Sequence, residues 1–214
     1  MSQTSDSQQS LLISYLLLRK LIGALGIALP FVVAIGAMVI SQTAILPSVS
    51  DYYHTVMRDL FVGILFAIAI FMLSYRGYER VDDRAGDLAC ISAIGIAVFP
   101  VAPAGANAAQ EALGNLHFAS ALVFFLTLAY FSLVLFTKSD PSVPPTPRKL
   151  QRNRIYRICG WTILACLAAI ALVWNFASVP IKQLQPVFWL ESVAVIAFGV
   201  SWLTKGEAFL PDRG

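Results

Sequence analysis

The chain has 214 residues, 58% of them hydrophobic and only 13% charged, with a mean hydropathy of +0.74. Soluble domains carry about 25% charged residues, so this composition, with its long apolar runs, excludes an ordinary soluble globular class and points to a polytopic membrane protein. A net charge of +3 is too small to suggest nucleic acid, and the length leaves no room for a separate soluble domain.

Residues 1–10 are polar, rich in serine and glutamine, and read as a disordered tail. Leu11–Leu18 is apolar but too short to span, and Arg19-Lys20 follows it. A signal peptide would place its charges before the apolar core, so an interfacial lead-in helix is expected instead. Six spans follow, at Leu21–Leu46, Met57–Tyr75, Leu88–Ala104, Leu116–Phe136, Ile158–Ala177 and Val187–Leu203. Each is close to the roughly 20 residues that a bilayer core requires. Backbone groups in hydrocarbon must be satisfied within the segment, so all six are read as helices. The fold class is all-α: a six-helix transmembrane bundle over residues 11–207 with a short tail at 208–214. Pro30 should kink the first helix, and Pro100 and Pro103 should end or distort the third.

Lysine and arginine orient the bundle. With the N-terminus cytoplasmic, 13 basic residues lie inside, and Arg58 and Lys182 alone lie outside. Both termini are therefore expected in the cytoplasm. Tyr52, Tyr53, Trp174 and Trp189 are placed at the outer interface, and Tyr75, Tyr78, Tyr156 and Trp202 at the inner one. The mixed charges of Arg76–Asp87 read as a salt-bridged extension of the second helix. The proline-rich loop Lys138–Arg154 reads as irregular, its basic cluster serving as a topology signal. Cys90, Cys159 and Cys166 all lie in apolar runs without a CxxC pair, as buried small hydrophobes do.

The informative polar groups gather on the outward side. In Ser48–Asp59, helical spacing would align Asp51, His54, Thr55, Arg58 and Asp59 on one face. Tyr53, Asn115, His117, Lys182 and Glu191 join them at the same depth. Ionisable groups there should face the bundle and pair. Arg58 is the natural partner for Asp59, Asp51 or Glu191, across a polar cleft between the second, fourth and sixth helices. Gly63, Gly95 and Gly199 permit close helix contact.

Three functions fit such a cleft. The first is lipid recognition or membrane organisation without catalysis, with membrane lipids as partners. The second is a metal-assisted hydrolase of a lipid amide or ester. Zinc would be held by His54, His117 and a carboxylate such as Glu191, with Ser50 and Asp59 as catalytic groups. The third is a small channel or proton-coupled carrier using His54, although the inward half offers no continuous polar path.

The segment Ser50-Asp51-Tyr52-Tyr53-His54-Thr55 resembles the Ser-x-x-x-His element of the alkaline ceramidase and adiponectin-receptor superfamily of membrane hydrolases, with Asp59 loosely matching a downstream aspartate. Those proteins have seven helices and a late His-x-x-x-His pair that this sequence lacks. The layout as a whole resembles the six-helix DRAM-type membrane proteins and related bacterial families of unknown function. The shared features are a kinked first helix, the segment Leu46-Pro47-Ser48-Val49-Ser50-Asp51, and a later helix running from His117-Phe118 through Phe124-Phe125 to Tyr130. That resemblance implies the fold, a setting in a bacterial cytoplasmic (inner) membrane, and lipid binding in the cleft.

Overall fold

A computed structural model describes residues 2–77, 79–139, 142 and 144–210, with side chains from residue 15 onward. The described residues are helical throughout their ordered elements, without strands. Helix α1 spans Ser2–Ser41, α2 Arg58–Leu73, α3 Arg80–Val98 and α4 Ala108–Tyr130. Helix α5 spans Pro147–Phe176, α6 Val179–Gln183 and α7 Pro186–Lys205. A 3-10 turn at Ser50–His54 precedes α2, and a π-helical turn at Phe131–Leu135 continues α4.

Four segments are long and apolar enough to cross a membrane: Tyr15–Ser41, Ala108–Leu135, Pro147–Phe176 and Pro186–Lys205. The second and third expected spans fall short, for different reasons. Helix α2 has 16 residues, about 24 Å at 1.5 Å per residue, against a hydrocarbon core of about 30 Å. Helix α3 begins in the charged sequence Arg80-Val-Asp-Asp-Arg84. The charged segment thus opens the third helix rather than extending the second. Acidic groups favour a helix start, and Glu79 with Asp82 forms a capping box there.

Other expectations shift in the same way. The polar N-terminal residues and Leu11–Leu18 continue into one helix from Ser2, with Pro30 inside it, rather than forming a tail and a separate lead-in. Part of the proline-rich loop is helical, because Pro147 occupies the first turn of α5 and the Thr146 hydroxyl accepts from Lys149 N at 3.2 Å. Proline lacks only an N–H that a first turn cannot use. Asp140, Pro141, Val143 and the expected inner-interface Tyr78 lie outside the described residues.

The helices form a closed ring. Helix α2 packs between α1 and α3, α4 between α3 and α5, and α7 closes the circle between α5 and α1. Its inward core is aromatic: Tyr75, Phe131, Phe136 and Phe198 surround Trp202, with ring centroids 5.1–6.0 Å from it. Tyr52, Tyr75, Tyr156 and Trp202 are buried in the bundle, so they are core residues and not an interfacial belt. Trp174 and Trp189 remain half exposed. The π-helical turn carries Ser132 to a 2.9 Å hydrogen bond with Ser201 of α7, both fully buried. On the same end, Lys138 bonds Asp82 at 2.6 Å and Glu79 at 3.1 Å, tying the end of α4 to the start of α3. The bond to Asp82 leads in holding the Lys138 pKa above its ordinary value.

Helices α1 and α7 meet through glycines. A Cβ on Gly199 would lie 2.6 Å from Gly23 O, and one on Gly23 would lie 2.7 Å from Gly199 O. Gly95 is likewise pressed against Ser120, whereas Gly63 faces open space and makes no close contact. We predict that Gly199→Ala destabilises the protein by about 1–3 kcal/mol through overpacking. Gly63→Ala should be neutral or stabilising by up to about 1 kcal/mol, as expected mid-helix. Equal effects of the two in denaturant titrations would refute the α1–α7 contact.

Candidate functional site

The end of the bundle expected to face outward is built around the segment between α1 and α2. Pro47–Tyr53 does not continue as a helix into α2. Thr55 breaks it: its hydroxyl donates to Tyr52 O at 2.8 Å and accepts from Met57 N at 3.1 Å. Its own backbone is extended. Threonine hydroxyls compete with the helical ladder in this way. Asp51, His54, Thr55, Arg58 and Asp59 therefore share no continuous helical face, contrary to the spacing argument.

Each group in the segment finds a local or backbone partner. Glu191, in the second turn of α7, accepts from Val49 N at 2.7 Å. In return, Phe188 N of α7 donates to Pro47 O at 2.9 Å. Ser48 Oγ donates to Asp51 Oδ2 at 2.8 Å and accepts from Asp51 N at 3.1 Å. Tyr52 is fully buried against Phe188, and its hydroxyl accepts from Leu46 N at 3.3 Å. Burial raises the phenol pKa above its ordinary value, against the lowering effect of the Leu46 N–H.

The two histidines hold one loop, the connection between α3 and α4. His54 Nε2 lies 2.8 Å from Val101 O, and His117 Nδ1 lies 2.7 Å from Phe99 O. A carbonyl only accepts, so each of those ring nitrogens carries its proton. His117 is 1% exposed while His54 is exposed.

Arg58 departs most from expectation. It makes no ion pair among the described residues. Its Nη2 donates to Tyr53 Oη at 2.9 Å, and its guanidinium stacks 4.6 Å from the Tyr53 ring centroid. The expected pairing with Asp51, Asp59 or Glu191 does not form. Asp51 is held by Ser48, Glu191 by Val49, and Asp59 is exposed on the first turn of α2. Asn115 is also exposed; two residues from His117, it lies about 200° around α4 and faces away.

Ser50 and Glu191 border an internal cavity of about 40 Å³. Leu29, Phe61, Leu65, Phe124, Val195 and Phe198 are among its apolar walls. The volume admits a water molecule but no lipid chain. Where an open cleft is expected between the second, fourth and sixth spans, the structure has this small cavity.

The tautomers of His54 and His117 are those of zinc ligands, whose second nitrogen commonly donates to a carbonyl. The rest of such a site does not form. Among the described residues, no three His, Cys, Asp or Glu side chains gather as a metal-binding group. Glu191, the expected third ligand, is committed to a backbone amide. The donor set therefore does not fit zinc.

No protein-family model matches the chain, and neither a curated protein nor a solved structure is significantly similar to it.

Sequence reasoning missed the backbone partners, Val49 N, Phe99 O and Val101 O. The prolines at 100 and 103 were the available signal, since they free nearby carbonyls from any helix. We predict that His117→Ala costs about 1–3 kcal/mol by leaving the part-buried Phe99 carbonyl without its donor. His54→Ala, at an exposed position, should cost less than about 1 kcal/mol. Thermal unfolding of the two variants tests this ordering, and a larger loss for His54→Ala would reverse the assignment of the buried clasp.

Proposed function

We propose that this chain is a six-span integral membrane protein with both termini in the cytoplasm, and that it contacts lipid and organises the membrane without catalysis. The ring of helices supports the six-span plan, because α2 and α3 complete a circle that the four longer helices leave open. The charge distribution supports the orientation, with Arg19, Lys149, Arg152 and Lys205 at one end of the bundle and Arg58 at the other. On this reading the protein shares the plan of the DRAM-type proteins and sits in a cytoplasmic (inner) membrane.

The observation that carries the lipid reading is Arg58. It lies exposed at the outward edge, stacked on Tyr53, with no carboxylate paired to it among the described residues. Exposed Val56 and Leu60 flank it. A guanidinium on an aromatic ring beside apolar side chains suits a phospholipid phosphate with its chains alongside. Hydrolysis has less support, since the outward donors are engaged with backbone. A carrier has less support as well, since the cavity beside Glu191 is small and lined mostly by apolar side chains.

Reporter fusions after Phe136 and after Gly214 should both read as cytoplasmic, and one after Gly105 as extracytoplasmic. Any other pattern contradicts the topology. Protein purified in mild detergent should retain phospholipid, and Arg58→Ala should lower the retained amount by at least about twofold, the effect of roughly 0.4 kcal/mol. Wild-type retention in Arg58→Ala would remove the lipid contact.

A further inference from the structure

The inward end of the bundle concentrates cations beyond what topology needs. Helix α7 ends at Lys205, directly against α1. A Cβ on Gly206 would lie 3.0 Å from Lys20 Cγ and 3.1 Å from Arg19 Cβ. Arg19 Nη1 reaches Lys205 O at 3.5 Å. Lys149 Nζ donates to Phe136 O at 2.9 Å, and Arg152 lies 3.9 Å from Glu207. Arg19, Lys149 and Arg152 all act electrostatically on Lys205, and Glu207 opposes them.

Helix capping accounts for part of this cluster. Lys149 satisfies the carbonyl just past the π-helical turn, and Arg19 one at the end of α7, as cations at C-termini do. Three further donors stand out. Arg19 Nε is buried without a hydrogen-bond partner. The Lys205 ammonium lies over the Phe136 ring, 5.4 Å from its centroid. Beneath that ring, Trp202 is fully buried with an unpartnered Nε1. A buried guanidinium N–H without an acceptor is rare in folded proteins. Here the guanidinium, stacked 4.1 Å from the Tyr15 ring centroid, reaches the backbone of a lysine that has no carboxylate at ion-pair distance among the described residues.

We propose that Arg19 and Lys205 together bind a phosphate group, a phosphomonoester or phosphodiester, at the inward face. Its oxygens take the Arg19 Nε–H and the Lys205 ammonium, while the Phe136 and Trp202 rings close the site from below. Arginine supplies a fork and lysine a point charge, the usual combination for phosphate. Arg19 lies near the start of the span Tyr15–Ser41 and Lys205 at the end of Pro186–Lys205, the depth of the headgroup layer. The phosphate comes either from an anionic lipid headgroup or from a free phosphate compound. This site rests on the membrane reading above.

The test uses full-length protein in neutral detergent, with thermal unfolding followed by tryptophan fluorescence. Phosphatidylglycerol at saturation should raise Tm by about 5 °C. Phosphatidylcholine should not, and Arg19→Gln with Lys205→Gln should abolish the rise. Arg58→Ala should keep it, separating this site from the outward contact. Inorganic phosphate that reproduces the rise and displaces the lipid identifies a free phosphate as the ligand; phosphate without effect identifies the headgroup. Should the double variant not fold, Arg19→Lys keeps the charge, loses the Nε–H and should weaken binding about tenfold, the effect of about 1.4 kcal/mol. No rise in wild type, or an equal rise in the variants, overturns the proposal. Wild type that stays membrane-bound after carbonate washing but shows no rise sinks this site alone. Protein released by the wash sinks the membrane reading with it.

Discussion

The half of this bundle that carries Ser48–Asp59 depends on one exchange of hydrogen bonds between two helix starts. The first turn of any helix leaves N–H groups without intrahelical acceptors. Here the segment leading into the 3-10 turn gives its Val49 N–H to Glu191, and the first turn of α7 gives its Phe188 N–H to Pro47 O. Each element satisfies a donor that the other could not. The link spans 142 residues of sequence and fastens the loop after α1 to the last helix of the ring. The bond turns Oε2 of Glu191 toward the loop, and no pairing of that side chain with Arg58 forms.

The remaining outward groups follow from this placement. With the Pro47–Tyr53 segment pinned on α7, Tyr52 drops into the core against Phe188, and His54 reaches the loop that His117 grips from α4. The outer end is thereby laced by side chain-to-backbone bonds, and the small cavity beneath it is lined mostly by apolar side chains beside Ser50 and Glu191. Arg58 is left outside the lacing, at the edge where lipid headgroups would lie. The inward end is organised differently, by aromatic packing around Trp202 and by cations over helix C-termini. On our reading, the two ends therefore meet lipid through different chemistry: a single stacked arginine outside, a cluster within.

Much of the architecture was legible because hydrophobic run length is a strong signal. Tyr15–Ser41, Ala108–Leu135, Pro147–Phe176 and Pro186–Lys205 all overlap expected spans. Glu191 and His117 were legible too, as polar groups in apolar helices that must find partners. What those partners are was not. Sequence patterns expose side chains, and the acceptors and donors used here are main-chain atoms, Val49 N and Phe99 O. The helical stripe through Ser48–Asp59 failed for a local reason, the Thr55 hydroxyl competing with the backbone ladder. The aromatic positions failed for a global one. Tyr75, Tyr156 and Trp202 have the amphipathic character of interface residues, but the bundle is deep enough there to bury them. Gly63 and Gly199 look alike in sequence, and only the position of α1 distinguishes them.

The most direct test of this account is amide hydrogen exchange at Val49. The account predicts that the amide is as protected in wild-type protein as the body of α7. In Glu191→Ala it should exchange at least about 100-fold faster, corresponding to a lost bond of roughly 2.7 kcal/mol, with Glu191→Gln between the two. Rapid exchange at Val49 in wild type, or protection unchanged in Glu191→Ala, would contradict it.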